Sequence, residues 1–162
     1  MKARSIATTL IVWLALMVCL GCGTGDQGRF EQSGYTECSE CNLANADLRN
    51  LRYVDNVRVD LYWANLSGAN LSGANLNIAG LRRADLSGAD LSGANLTRAD
   101  LSGADLSGAN LTRADLAYAY LIGANLTDAD LTDADLAGAN LKYVIGADFS
   151  GAQNVPAKYL KD

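Results

Sequence analysis

The sequence predicts a β-solenoid, a chain that coils repeatedly around a narrow apolar core, and two observations support this prediction. Every fifth residue from 66 to 141 is Leu, sixteen in succession, and each Leu has Ala two places before it. The two positions after each Leu are mostly small or polar, with Ser-Gly recurring. Such a chain must turn once per repeat to keep all its Leu and Ala side chains inside.

Neither an α-helix nor a straight strand can use a five-residue period. In a helix, five steps of about 100° place each Leu roughly 140° from the previous one, so no apolar stripe forms. In a straight strand, an odd period sends successive Ala-Leu pairs to opposite faces. A corner at the two trailing positions, where Gly tolerates unusual dihedral angles, returns every pair to the inside.

The repeated unit, A-(D/N)-L-x-x, resembles the pentapeptide-repeat family over residues 36–152. In that family the central residue is Leu or Phe, and the residue two places earlier is small. The resemblance implies an all-β fold, a right-handed quadrilateral β-helix with four repeats in each turn.

An internal duplication provides a separate test of the number of sides. Residues 86–100 and 101–115 are the same sequence, so a three-sided coil would stack Arg98 directly on Arg113. Like charges facing each other are unfavourable, which disfavours three sides. A four-sided coil instead aligns residues 20 apart, and this gives three attractive pairs: Arg113 with Asp133, Arg98 with Tyr118, and Trp63 with Arg83.

The Asn or Asp that precedes each Leu is predicted to point outward. With residues 20 apart in contact, one face carries Asn and Asp in alternation, which limits repulsion between carboxylates. Other positions stack two carboxylates and mark where the surface is most acidic: Asp85 with Asp105, and Asp115 with Asp135.

Two interruptions frame the regular repeats. Upstream, the centre after Leu48 is Asn56, eight residues on, so residues 51–53 are extra. Downstream, Leu141 is followed eight residues later by Phe149, again an apparent excess of three. Both insertions are predicted to bulge outward without breaking the stack.

The amino terminus, residues 1–22, is predicted to be a signal peptide with a lipobox-like end. Lys2 and Arg4 precede an apolar run over residues 6–20, which is typical of secretory signals and short for a membrane span. Cys22 stands where the resemblance to bacterial lipoproteins places the lipidated Cys, although Cys19 occupies a position that usually holds Leu. Simple secretion after cleavage at Gly23, or an uncleaved anchor, are the alternatives.

The remaining boundaries follow from composition. Residues 23–35 are rich in Gly and polar residues and are predicted to be a flexible tether. Since Gly23 is not Asp, the lipoprotein resemblance implies the outer membrane in a two-membrane bacterium, and in any case an extracytoplasmic, envelope-bound or secreted protein. Residues 153–162 are predicted to cap the coil through Val155, Tyr159 and Leu160, or to join two molecules in a homodimer.

Composition excludes several classes of function. The net charge of -5 disfavours direct binding to nucleic acid, which depends on Lys and Arg. The chain has no His, the commonest general base and metal ligand. We therefore expect no catalytic residues, no metal and no cofactor. Regular Leu and Ala should also fill the core and leave no internal pocket.

Cys38 and Cys41 form the one motif with reactive potential. In an exported protein they could form a disulfide, because Cys19 would leave with the signal and Cys22 would carry lipid. In repeat register both point inward, so they could equally be small buried residues. Zinc binding or redox activity is disfavoured, since further ligands and the usual redox fold are missing.

Large side chains at outward positions are candidates for an interaction surface. One group surrounds a single corner, and another marks the early coils; together they are Tyr62, Trp63, Arg82, Arg83, Tyr118, Tyr120 and Ile122. Exposed apolar residues can mark a partner site, and stacking between adjacent coils is the alternative explanation.

Two functions remain open. The first is a non-catalytic extracytoplasmic module, a lipid-anchored rod that binds a protein or another envelope partner. The second follows from the family resemblance: quinolone-resistance members are acidic DNA mimics that bind a type II topoisomerase. Those members act in the cytoplasm and have no signal peptide, which counts against the second function here.

Overall fold

The computed structural model describes Thr36, Glu37, Asn45, Arg49 and residues 59–160, and its central part is a stack of coils. Strand β1 (Thr36–Glu37) pairs in parallel with strand β2 (Val59–Asp60). Beyond β2, the walls are built from single parallel bridges rather than continuous strands. A short 3₁₀ turn at Ala157–Tyr159 follows the last coil.

The bridges settle the number of sides. From Asp60 with Gly80 to Asn125 with Ile145, each bridge joins residues 20 apart, which is four repeats of five. The prediction of a right-handed quadrilateral β-helix is confirmed. Asp60, Gly80, Asp100, Tyr120 and Asn140 form one continuous column, so the stack has five coils.

The core consists of the Leu and Ala of the repeats. From Ala64 to Leu141 every one of these side chains is buried, and most are completely inaccessible. The described residues include no buried charged or polar side chain. Leu stacks on Leu at each level of the coil, so the interior is a close-packed column of aliphatic groups.

Each corner is a hydrogen-bonded turn that needs a left-handed residue. The N–H of each Ala bonds to the carbonyl of the Leu three residues earlier, as Ala104 does to Leu101 at 3.0 Å. The residue before that Ala has a positive φ, +68° at Gly103, as a type II turn requires. The Ser-Gly prediction is therefore explained, yet Arg98 at +57° shows that larger residues also occupy this position.

The Asn and Asp residues point outward as predicted, and they also fasten the corners. Their Oδ1 atoms accept a hydrogen bond from the backbone N–H two residues later: Ser102 donates to Asp100 at 3.0 Å, and Thr112 to Asn110 at 3.1 Å. This is the Asx turn that Asn and Asp favour. The second position of the repeat therefore has a structural role at each such corner.

The two interruptions differ in kind. Glu37 pairs with Asp60, 23 residues away, which confirms three extra residues in the first coil; residues 51–53 themselves lie outside the described part. Downstream the prediction was wrong, because Asp135 pairs with Gln153, only 18 residues away. Ile145 still pairs with Asn125, so two sides share the eight residues after Leu141, and the last coil is two residues short rather than three long.

The carboxy-terminal segment packs beneath the last coil. Val155 and Tyr159 are partly buried against the core, whereas Leu160 is 55% exposed and does not cover it. The Tyr159 hydroxyl donates to Asn140 Oδ1 at 3.2 Å, which ties the segment to the coil. Within the described residues, no helix has the length and apolar character needed to cross a membrane.

Candidate interaction surface

One side of the coil differs from the other three, and we call it the aromatic face. Its centre is the column Asp60, Gly80, Asp100, Tyr120 and Asn140. Its edges are the two corner columns that flank this centre in the chain. One edge carries Ile78, Arg98, Tyr118 and Gly138, and the other carries Tyr62, Trp63, Arg82, Arg83, Ser102, Ile122, Lys142 and Tyr143.

The folding of the coil collects on this face the residues that interrupt the repeat. All seven side chains predicted as an interaction surface lie on it, although the sequence suggested two separate groups. Arg82 and Ile122 belong to one column, because Arg83 N–H bonds to Ser102 and Gly103 N–H bonds to Ile122. Tyr118, Tyr120 and Ile122 cross the same face one coil from the end.

Charge is divided in the same way. The aromatic face has four cations and two carboxylates, a net charge of +2. The rest of residues 59–160 has nine carboxylates and two cations, a net charge of -7. The rod is therefore basic on one side and acidic on the others.

Several edge side chains are held by stacking between coils. The Arg83 guanidinium lies 4.9 Å from the Trp63 ring centre, and that of Arg98 lies 5.9 Å from the Tyr118 ring centre. These two predicted pairs form. Arg113 and Asp133 are aligned, but among the described residues they form no ion pair, because the corner directs the two side chains independently.

The aromatic face is nevertheless open to solvent. Tyr118, Tyr120 and Tyr143 are 59%, 51% and 72% exposed. Ile78, Arg98, Asp100, Ser102 and Tyr120 line an open depression of about 370 Å³ that spans three coils. Stacking and exposure therefore coexist, since the rings that join neighbouring coils also leave one surface free.

The other three faces carry amide and carboxylate side chains. Asp85 bridges to Asp105, and Asp115 to Asp135, as predicted. Asn110 Nδ2 donates to Asp90 Oδ1 at 3.2 Å, which offsets repulsion in the alternating column. Hydrogen bonds from the Thr132 hydroxyl and backbone N–H lower the pKa of Asp130.

The reactive predictions fall elsewhere. Cys22, Cys38 and Cys41 lie outside the described residues, so lipidation and the disulfide stay predictions. Within the part that the structure describes, no cluster of His, Cys, Asp or Glu could hold a metal ion.

The sequence-based analysis missed four residues of the surface. Ile78, Lys142 and Tyr143 belong to the edges of the aromatic face, and Arg98 had been considered only as a stacking partner. A signal was available for Ile78, because it occupies the left-handed corner position at a φ of +55°, where a β-branched residue is unfavourable. Counting in steps of 20 would have placed all four.

The fold and surface define a class of protein: a quadrilateral β-helix with a solid interior and one specialised outer face. Comparison with known families agrees, because the pentapeptide repeat family matches residues 57–93, 79–116 and 109–152, with eight copies. The chain belongs to the pentapeptide repeat family, whose members are generally structural or interaction modules.

Solved structures of cyanobacterial proteins are similar. The pentapeptide repeat protein Rfr23 from Cyanothece 51142 is 33% identical, with a TM-score of 0.64, over 73% of this chain and 90% of its own. The Nostoc PCC 7120 protein alr5209 is 43% identical, with a TM-score of 0.46, over 46% of this chain and 62% of its own. HetL from Nostoc PCC 7120, involved in heterocyst differentiation regulation, is 30% identical over 69% of this chain and 68% of its own, with a TM-score of 0.41. No curated protein matches the chain.

Proposed function

We propose that the chain is a non-catalytic rod held outside the cytoplasm by a lipid on Cys22, and that its aromatic face binds a partner in the cell envelope. The observation that carries this proposal is the gathering of exposed aromatic side chains and cations on one side of an otherwise acidic coil. An unselected surface built from the same repeats would have no reason to sort them in this way.

The interior supports a role without catalysis. Leu and Ala side chains fill the coil from Ala64 to Leu141, so a substrate has no place inside. Outside, Oδ1 atoms of the Asp columns accept hydrogen bonds from their own corners, as Asp90 does from Ser92 at 3.0 Å. These carboxylates are explained by the turns, and none of those on the described coils requires a catalytic role.

Export is supported by the sequence alone. The charged start, the apolar run over residues 6–20 and Cys22 after a small residue are the parts of a lipoprotein signal. A tether over residues 23–35 would separate the anchor from the coil. On this proposal the rod is displayed from a membrane, in the outer membrane of a two-membrane bacterium.

Metabolic labelling with radioactive palmitate and cell fractionation test the anchor. We expect label on the wild-type chain in the membrane fraction, and loss of label in Cys22→Ala. Cys19→Ala is the matched control and should keep the label, since Cys19 would leave with the signal. A soluble, unlabelled chain in the cytoplasm would contradict the proposal, whereas a released chain cleaved at Gly23 would preserve export and remove the anchor.

A second candidate, an acidic DNA mimic that binds a type II topoisomerase, is favoured by one observation: carboxylates stack at Asp85 with Asp105 and at Asp115 with Asp135. Each of these columns continues with Asn or Gln after two carboxylates, and the fourth face is basic, so the acidic surface is discontinuous. A gyrase supercoiling assay decides; no effect at micromolar protein would exclude this candidate.

A further inference from the structure

We propose that the aromatic face is the side on which the rod lies against an anionic phospholipid surface. This inference rests on the proposed export and anchoring, and it names the partner of the aromatic face. The remaining three faces would then point away from the membrane.

Electrostatics favour this orientation. The four cations of the aromatic face are Arg82, Arg83, Arg98 and Lys142, and basic residues near an anionic surface each contribute about 1 kcal/mol. The backbones of opposite walls of the coil are about 10 Å apart, and side chains add to this distance. Because the Debye length is about 8 Å at physiological ionic strength, the acidic walls behind the face are largely screened from the lipid.

The apolar groups of the face suit the interface between headgroups and acyl chains. Tyr and Trp prefer this region, because their rings are apolar and their O–H or N–H remains hydrated. Tyr118, Tyr120 and Tyr143 are exposed on successive coils, and Trp63 is 47% exposed at the other end. The rings therefore extend along the whole length of the rod.

The cations are oriented for headgroup phosphates. Arg83 and Arg98 stack on aromatic rings, which holds the guanidinium planes while leaving N–H donors free to meet phosphate oxygens. Arg98 also borders the depression that contains Asp100 and Tyr120, so a headgroup can enter between the two edges.

The predicted anchor makes weak contacts sufficient. Residues 23–35 can span at most about 45 Å, while five coils at about 4.8 Å each give a rod of roughly 24 Å. A lipid on Cys22 would thus keep the whole rod near the surface, at a high effective concentration. One lipid signal combined with a basic patch is a common route to stable attachment.

Fluorescence of Trp63 tests the orientation. The chain has two Trp residues, so Trp13→Phe leaves Trp63 as the sole fluorophore. The full chain is mixed with vesicles of phosphatidylglycerol and phosphatidylcholine that carry brominated acyl chains, or with phosphatidylcholine vesicles alone. We expect Trp63 to be quenched on the anionic vesicles at least threefold more than on the neutral ones, and less at high salt.

A matched control moves the fluorophore to the diagonally opposite corner. Trp13→Phe/Trp63→Gly/Gly93→Trp uses an equivalent position: φ is +58° at Trp63 and +63° at Gly93, where a Cβ meets no atom within 4 Å. Ser92→Trp in place of Gly93→Trp is a second control, should the first fail to fold. Even if residues 6–20 insert into the vesicle, both chains are bound equally, and only the side facing the lipid differs.

The outcomes separate this inference from the proposed function. Quenching of Trp63 with an unquenched control supports it, and Arg82→Ser/Lys142→Ser should then reduce the quenching whereas Arg113→Gly should not. Equal quenching at both corners, or quenching at neither, overturns it. A chain that is labelled by palmitate yet shows no preferred side keeps its anchor, and its aromatic face then serves a protein partner instead.

Discussion

The close-packed Leu column predicts that Leu101→Ala is strongly destabilising. Leu101 is completely buried in the middle coil and stacks between the Leu residues 20 positions before and after it. Its N–H bonds to Tyr120 at 2.8 Å, and Leu81 N–H bonds to Asp100 at 2.8 Å, so the backbone is fixed on both sides. Because the walls cannot collapse into the space, we expect a loss of about 3–5 kcal/mol in unfolding free energy.

Urea and thermal unfolding followed by circular dichroism measure this loss. A change of this size lowers the Tm by roughly 15–25 °C in a domain of about 100 residues. Leu101→Met, which nearly conserves volume, should cost less than about 1.5 kcal/mol. Ser107→Ala, on the surface, should change stability by at most about 0.5 kcal/mol. A cost below about 1.5 kcal/mol for Leu101→Ala would show that the core is loose, and the argument for a solid interior would be wrong.

Two further predictions test the last coil and a corner. Gly88 and Gly146 both have positive φ, but a Cβ at Gly88 meets open space, whereas one at Gly146 lies 2.7 Å from the Thr127 Cα. Gly88→Ala should therefore cost about 1–2 kcal/mol, and Gly146→Ala distinctly more in the same denaturation assay; equal costs would refute the shortened coil. The lowered pKa of Asp130 predicts an NMR titration midpoint below the ordinary Asp value, shifted upward in Thr132→Val. Its small contribution to stability is present above the unfolded pKa and is lost as the pH falls through the folded pKa, and an unshifted midpoint in the variant would contradict the role of Thr132.

Most of the fold could be predicted because the repeat is strict. Leu and Ala at fixed spacing allow one inward arrangement, and the pairs Trp63 with Arg83 and Arg98 with Tyr118 supported four sides before the structure did. The last coil could not be predicted, since eight residues between Leu141 and Phe149 can be one long side or two short ones. Spacing alone does not distinguish these, because the choice depends on how the backbone at Gly146 packs against Thr127.

The candidate surface was predicted by residue but not by arrangement. Tyr62 and Ile122 are far apart in the sequence, and their position on one side emerges only when the chain is divided into coils of 20. The corner function of Asn and Asp was also missed, although Asx turns are a known preference of both residues. Side-chain direction at the corners, as for Arg113 and Asp133, required the structure.

The short and constant reach of the coil contacts affects how the chain can acquire its structure. Bridges join residues 18 to 23 positions apart along the described coils, so no level depends on a distant part of the sequence. At a synthesis rate of about 5–20 residues per second, each new level could close roughly every 1–4 s as the chain emerges from the ribosome or a translocation pore. Each level that closes would also hinder backsliding, so stepwise folding could itself draw the polypeptide through a narrow opening.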